Sequence, residues 1–243
     1  MFSFIWHTFF FDPVYNGLVF FVDIVPGGDV GLAIILITVL VKVILLPLSI
    51  KAAKTQVIMR ELEPKLKEIK EKYKDKREEQ ARAMMDLYRD AGLNPFASIL
   101  LILIQLPIIF ALYWSVFSGG GVALPEINTA LLYSFVPTPE TVNMLFFGAI
   151  DIAEKSLPLA ILAGVTQFFQ AQLAIPKPEP RDPDKENSFK DDFARSMQMQ
   201  MRYVMPIIIA FVAYYISAAI ALYFVTSNIV AIAQEWFVRK HRV

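Results

Sequence analysis

From Tyr203 to Gln234 the chain runs for 32 residues without a charge. A helix of that length would be roughly 48 Å long, against a hydrocarbon core of roughly 30 Å. It must tilt steeply, or break and cross twice. Three other stretches approach the length of a crossing, which needs about 20 apolar residues: Val30–Ile50, apolar except for Lys42 and a few hydroxyl residues, and the uncharged Phe96–Ser118 and Ser156–Pro176. Hydrophobic residues make up 56% and charged residues 19% of the chain, too much oil for an ordinary water-soluble globule. The same balance excludes a disordered chain, a coiled-coil rod and a basic nucleic-acid-binding domain. With no Cys, disulfides and thiolate chemistry are excluded as well.

Charge placement decides how the long run is divided. Of the 23 Lys and Arg, twelve fall in Lys51–Arg89, six in Lys177–Arg202 and three in Arg239–Arg242. Cationic segments stay on the cytoplasmic side, so Phe96–Ser118 and Ser156–Pro176 are two crossings between two inner segments. The basic C-terminus is then inside only if Tyr203–Gln234 crosses twice, turning near Ser217. The expected fold is an all-α integral membrane protein of five transmembrane helices, N-terminus out and C-terminus in, with a cytoplasmic helical hairpin. Its parts are an outer interfacial amphipathic segment (1–29), a first span (30–50), the hairpin (51–94) and a second span (95–118). An outer loop (119–155), a third span (156–176) and a mobile cytoplasmic loop (177–202) follow. A fourth span (203–216), a fifth span (217–238) and a basic tail (239–243) complete the chain.

Met1–Asp29 has no Lys or Arg and lacks the cationic start of a signal peptide. Asp12-Pro13 reads as a helix start, with Asn16 and Asp23 on a polar face and Val14, Leu18 and Phe21 on an apolar one. The outer loop opens on Gly119-Gly120-Gly121 and contains a short apolar run, Val142–Ile150, expected to dip into the interface. In the hairpin, Leu62, Leu66, Ile69 and Tyr73 recur at helical spacing, as do Ala81, Met84, Tyr88 and Ala91. The pattern stops around Lys74-Asp75-Lys76 and closes at Gly92 and Asn94-Pro95. Lys177–Arg195 is rich in Pro and charge without apolar periodicity. Met197, Met199 and Met201 precede the fourth span as adaptable contact residues or interfacial filler.

Lys42 lies eight residues before the inner end of its stretch, roughly 12 Å deep at helical rise. A charge at the bilayer centre costs at least about 2.5–3.5 kcal/mol, and none of the four apolar stretches carries an Asp or Glu to offset it. A hydrated cavity is the remaining solution. Polar stripes on the other spans agree: Thr38 and Ser49 share the Lys42 face, and Ser98 pairs with Gln105. Thr166, Gln167 and Gln170 cluster on the third span; Tyr223, Thr226, Ser227, Asn228 and Gln234 line the last. Each could equally be interhelical glue. No carboxylate pair, His/Glu metal spacing or Gly-rich phosphate loop appears, so the chain does not read as an enzyme and implies no nucleotide or metal.

Several of these strings resemble one known family. VLVKVILLPLSIKAAKTQ (Val39–Gln56) is similar to the first core span of the YidC/Oxa/Alb membrane protein insertases, and LYRDAGLNPFASILLILIQLPIIFALYWSV (Leu87–Val116) to their Asn-Pro-led second span. ILAGVTQFFQAQL and MPIIIAFVAYYISAAIALYFVTSNIVAIAQ (Met205–Gln234) resemble the remaining spans, in order, over roughly Asp12–Trp236. The resemblance implies a five-helix core around a hydrophilic groove, open to the cytoplasm and to lipid and closed outside. It also implies an insertase and folding chaperone in a bacterial plasma membrane. Lys42 would take the place of the groove cation, usually Arg, keeping the charge without the planar bidentate fork. Thr38, Gln105, Gln167, Gln170, Tyr223, Ser227 and Asn228 would line the groove. The usual Pro-Ser/Ala-Gly turn before the last span is Ser217-Ala218-Ala219 here, and no large outer domain precedes the first core span, unlike the Gram-negative form. Implied partners are nascent membrane proteins (recruited through the cytoplasmic hairpin), the ribosome, the Sec translocon and the lipid bilayer, with no sequence-specific nucleic acid binding. The alternative is a small transporter or channel using Lys42 as an anion site, for which an internal repeat would be the usual sign; none is visible.

Overall fold

The computed structural model describes residues 2–74, 76–93, 97–118, 121–175 and 195–241. It is mostly helical and divides into two compact units, 1–43 with 107–235 and 44–106 with 236–243.

The first unit opens with a short helix, Phe2–Trp6, and a π turn, His7–Phe11, leading into α1 (Asp12–Ile24). Pro13 sits in the first turn of α1, where its missing N–H costs nothing. Val14, Leu18 and Val22 face the main core, while Phe11, Tyr15 and Val19 pack with Val136 of the outer loop in a second cluster. Asn16, expected on a polar exterior face with Asp23, is instead 2% exposed. Its amide donates to the carbonyls of Asp12 and Leu131, both at 2.9 Å, and its Oδ1 accepts from the Tyr133 N–H at 2.6 Å. A buried loop backbone needs partners, and Asn16 supplies both kinds. Beside it the Asn128 N–H donates to the Tyr15 hydroxyl at 2.9 Å. Burial raises the Tyr15 pKa, and that hydrogen bond partly offsets the rise.

Pro26-Gly27-Gly28 then turns the chain into α2 (Val30–Ile44). Gly28 has φ +67°, and a Cβ there would run into the Thr141 carbonyl. Asp29 caps α2: its carboxylate accepts from the N–H of Leu32 at 3.0 Å and of Phe147 at 2.9 Å. The run Val142–Ile150 is a small hairpin rather than a simple loop. β1 (Leu145–Phe146) pairs antiparallel with β2 (Ile150–Asp151) across a turn with positive φ at Phe147 and Gly148. The Val30 N–H donates to the Asn143 carbonyl at 3.0 Å and the Asn143 N–H to the Gly28 carbonyl at 2.9 Å, and the Phe146 ring lies on Gly31, where a side chain would not fit.

After α6 (Ala97–Phe117), which carries Pro107 inside it, the outer segment leads to α7 (Leu157–Ala174), capped by Ser156. α8 (Arg195–Ile216) contains a π-helical turn, Gln200–Val204. Gly164 of α7 meets α8 so closely that an added Cβ would lie 2.8 Å from the Ala210 Cβ and 3.1 Å from the Pro206 carbonyl. The uncharged run 203–234 is interrupted at Ser217, which is extended, and α9 (Ala218–His241) follows. The first N–H groups of α9 are satisfied by the segment before α7: Ala218 donates to the Glu154 carbonyl at 2.7 Å and Ala219 to the Ile152 carbonyl at 3.0 Å.

The second unit holds α3 (Leu46–Glu61), α4 (Glu63–Lys72) and α5 (Arg77–Asp90). α3 starts one residue after α2 ends, with Leu45 between and Pro47 in its first turn; Pro47 has no N–H to continue the preceding helix. α4 and α5 form the hairpin, with the Lys76 N–H donating to the Tyr73 carbonyl at 3.0 Å and Gln80 to the Lys70 carbonyl at 3.1 Å. α5 buries no residue completely. Gly92 (φ +66°) ends it, and the Leu93 N–H donates back to the Tyr88 carbonyl.

Among the described residues α7, α8 and α9 are long and apolar enough to cross a membrane. Val30–Ile44 with Leu46–Thr55 makes a fourth if taken as one broken span, and Leu103–Phe117 of α6 is a shorter apolar stretch among the described residues. The chain is therefore an all-α membrane protein with three or four candidate spans by length and composition. Of the loop expected at 177–202, residues 195–202 are helical and begin α8, while 177–194, the Asn94-Pro95 re-entry, Gly119-Gly120 and Arg242 lie outside the described residues.

Candidate functional site

Lys42 stands in the last turn of α2, the one charged residue in fifteen. It is half-buried. Thr38, one turn earlier, is fully buried, and its hydroxyl donates to the Ile34 carbonyl of its own helix at 2.6 Å. Ser49, expected on the same face, lies beyond the break at Leu45 in α3, where it donates to the Leu46 carbonyl.

The polar residues of α7 and α9 fall into two groups. Thr166 and Asn228 are buried and bonded across the helix contact: the Asn228 amide donates to the Thr166 hydroxyl at 3.2 Å and to the Ala163 carbonyl at 3.5 Å. The Thr166 hydroxyl in turn donates to the Leu162 and Ala163 carbonyls. This is interhelical glue. Gln167 and Gln170 are half-buried and bonded to each other at 3.2 Å. On α9, Thr226 donates to the Leu222 carbonyl. Tyr223 is 2% exposed; its hydroxyl makes no hydrogen bond of ordinary geometry among the described residues, and its polar neighbour is Ser227, one turn on.

Gln105 belongs to α6 within the other unit and is half-buried there. Gln234 lies half-buried near the end of the first unit. The Ser98 side chain is outside the described residues. The described structure thus joins Thr166 to Asn228 and Gln167 to Gln170, and sets Tyr223 one helical turn from Ser227 and Lys42 one from Thr38.

Three polar residues with structural weight escaped the sequence reading. Asp29 ties α2 to the outer hairpin. Ser115 is fully buried and bonded to the Ala111 carbonyl at 2.7 Å. Arg202, counted only as the last of a cationic segment, is buried against Gln172. Its signal was its position, immediately before the 32 uncharged residues. Among the described residues no group of three or more His, Asp or Glu could hold a metal.

Outside the spans, burial raises the Tyr88 pKa; burial and the Asp12 carboxylate together raise that of Tyr133.

The family model described as 60Kd inner membrane protein matches residues 20–243. Three relatives, each called membrane protein insertase YidC, come from Francisella tularensis subsp. novicida (strain U112), subsp. tularensis (strain SCHU S4 / Schu 4) and subsp. holarctica (strain LVS). Each is 30% identical over 214 residues, covering 88% of this chain and 33% of the relative. The chain spans about a third of the length of the curated relatives it matches.

Proposed function

This chain belongs to the 60Kd inner membrane protein family, and from that premise we propose that it is a membrane protein insertase and folding chaperone. The observation that carries the reading is Lys42, a cation set half-buried in an otherwise uncharged apolar helix. Five spans, with the N-terminus outside and the C-terminus inside, enclose a hydrophilic groove open to the cytoplasm and to lipid. Nascent membrane proteins enter it from the cytoplasm. Their polar outer residues are hydrated in the groove while their apolar residues slide sideways into lipid, so the apolar barrier is shortened. Lys42 draws acidic residues of the substrate inward, because Coulomb attraction is several-fold stronger at the effective dielectric of a protein than in bulk water. Gln105, Gln167, Gln170, Tyr223 and Ser227 hydrate the wall, with Thr38 and Asn228 beside them. The α4–α5 hairpin receives substrate, and the ribosome and Sec translocon are the proposed partners. No bond is made or broken, and no cofactor takes part.

The test is reconstitution of the protein alone in proteoliposomes with a small single-span substrate bearing an acidic translocated tail. Lys42→Ala lowers insertion roughly ten-fold, the effect of about 1.4 kcal/mol of lost attraction, while Lys42→Arg retains it. Equal insertion by the alanine variant overturns the attraction mechanism. No insertion by the intact protein overturns the insertase reading.

A further inference from the structure

Arg202 takes no part in the insertion path proposed above. It stands in the π-helical turn of α8, a helix distortion that recurs at functional sites, and is 3% exposed. Its Nε donates to Gln172 Oε1 at 2.5 Å and its Nη2 to the Gln172 main-chain carbonyl at 3.2 Å, in the last turn of α7. Both acceptors are neutral dipoles. No carboxylate lies within ion-pair distance of Arg202 among the described residues. The Gln172 Nε2 is buried and makes no hydrogen bond there, and the two Arg202 bonds use Nε and Nη2, not Nη1.

Among the described residues the arrangement is rich in donors and lacks an anion. A buried cation balanced only by dipoles is unfavourable, and so is a buried amide with no acceptor. An anion with several acceptor oxygens resolves both, and the guanidinium fork fits phosphate geometry. The flanking surface indicates which phosphate. Met201, Tyr203, Val204 and Ile207 of α8 and Phe169 of α7 are exposed and apolar, a surface for acyl chains beside the charge. A free phosphate ion gains nothing from it. We infer that Arg202 and Gln172 bind the phosphate of a phospholipid headgroup at the end of the α7–α8 pair. The inference rests on α7 and α8 being membrane spans and not on the insertase reading.

The experiment uses the full chain, delipidated in detergent, titrated with phosphatidylglycerol and read by native mass spectrometry, with inorganic phosphate as competitor. The intact protein is expected to retain one lipid that millimolar phosphate does not displace. Gln172→Glu sets a carboxylate against the guanidinium, keeps the packing, and is expected to weaken retention at least ten-fold. Arg202→Gln is expected to do the same, and Gln172→Glu tests the site even if Arg202→Gln fails to fold. Equal retention by the intact protein and Gln172→Glu overturns the proposal, as does free phosphate binding there as tightly as the lipid. Retention is read without an insertion substrate, so its failure is distinct from a failure of insertion.

Discussion

At the scale of single residues, polar groups in this chain take two forms, and sequence spacing distinguishes them poorly. Lys42 stood out because one charge in fifteen apolar residues is visible without a structure. Asn16 did not. On a helical wheel it shares a face with Asp23 and reads as exposed, yet it is buried and bonded to Leu131 and Tyr133, more than a hundred residues away. No local pattern can announce a partner so distant in the chain. Replacing Asn16 by Leu leaves the Leu131 carbonyl and the Tyr133 N–H buried without partners. The expected cost is about 2–4 kcal/mol, seen as a fall of roughly 4–16 °C in the thermal midpoint in detergent. Asp23→Ala, on the exposed side of the same helix, is expected to shift the midpoint by no more than about 1–2 °C. Comparable shifts from both would show that the Asn16 bonds contribute nothing to stability.

Between elements, the contact of α7 with α8 depends on small residues. In a membrane, helices gain little from hiding oil, so close backbone approach through Gly and Ala supplies the attraction. Gly164 against Ala210 and the Pro206 carbonyl is that approach. Gly164→Ala is expected to cost about 1–3 kcal/mol by overpacking, and Ala210→Gly in the same background to restore part of it, because the shortest clash is with the Ala210 methyl. No recovery in the double variant, judged by thermal midpoint, would place the strain at the Pro206 carbonyl instead. This contact was not legible in the sequence, where Gly164 is one small residue among many; which face of α7 meets which face of α8 is set by packing. The α4–α5 hairpin was legible, because its apolar residues repeat at helical spacing between charged ones. α5 buries no residue completely, so stability alone does not account for its apolar stripe. Deleting Lys67–Gln80 is expected to leave the folded core intact and to reduce insertion in the reconstituted assay. Full insertion after the deletion would remove the hairpin from substrate reception.

Across the whole molecule, orientation is a question of where charge can go. Moving a Lys or Arg through the bilayer centre costs about 2.5–3.5 kcal/mol even on the mildest scales, and twelve such residues lie in Lys51–Arg89 against one, Lys155, in Gly119–Lys155. That imbalance is the basis of the proposed five crossings; among the described residues length and hydropathy alone give three or four candidate spans. The discrepancy has a physical source. α2 is interrupted before Pro47, so it does not pass as one long apolar helix. Because the chain has no Cys, single thiols can be placed without a background. Thr138 in the outer loop and Lys76 in the hairpin turn are both exposed. In sealed inside-out and right-side-out vesicles, Thr138→Cys is expected to react with an impermeant maleimide only from outside and Lys76→Cys only from inside. Lys42→Cys is expected to react more slowly than Lys76→Cys and also only from inside, since a groove closed to the exterior admits water from one face. Labelling of Thr138→Cys from the cytoplasmic face would reverse the orientation. Labelling of Lys42→Cys from both faces would turn the groove into a channel and shift the reading toward solute transport.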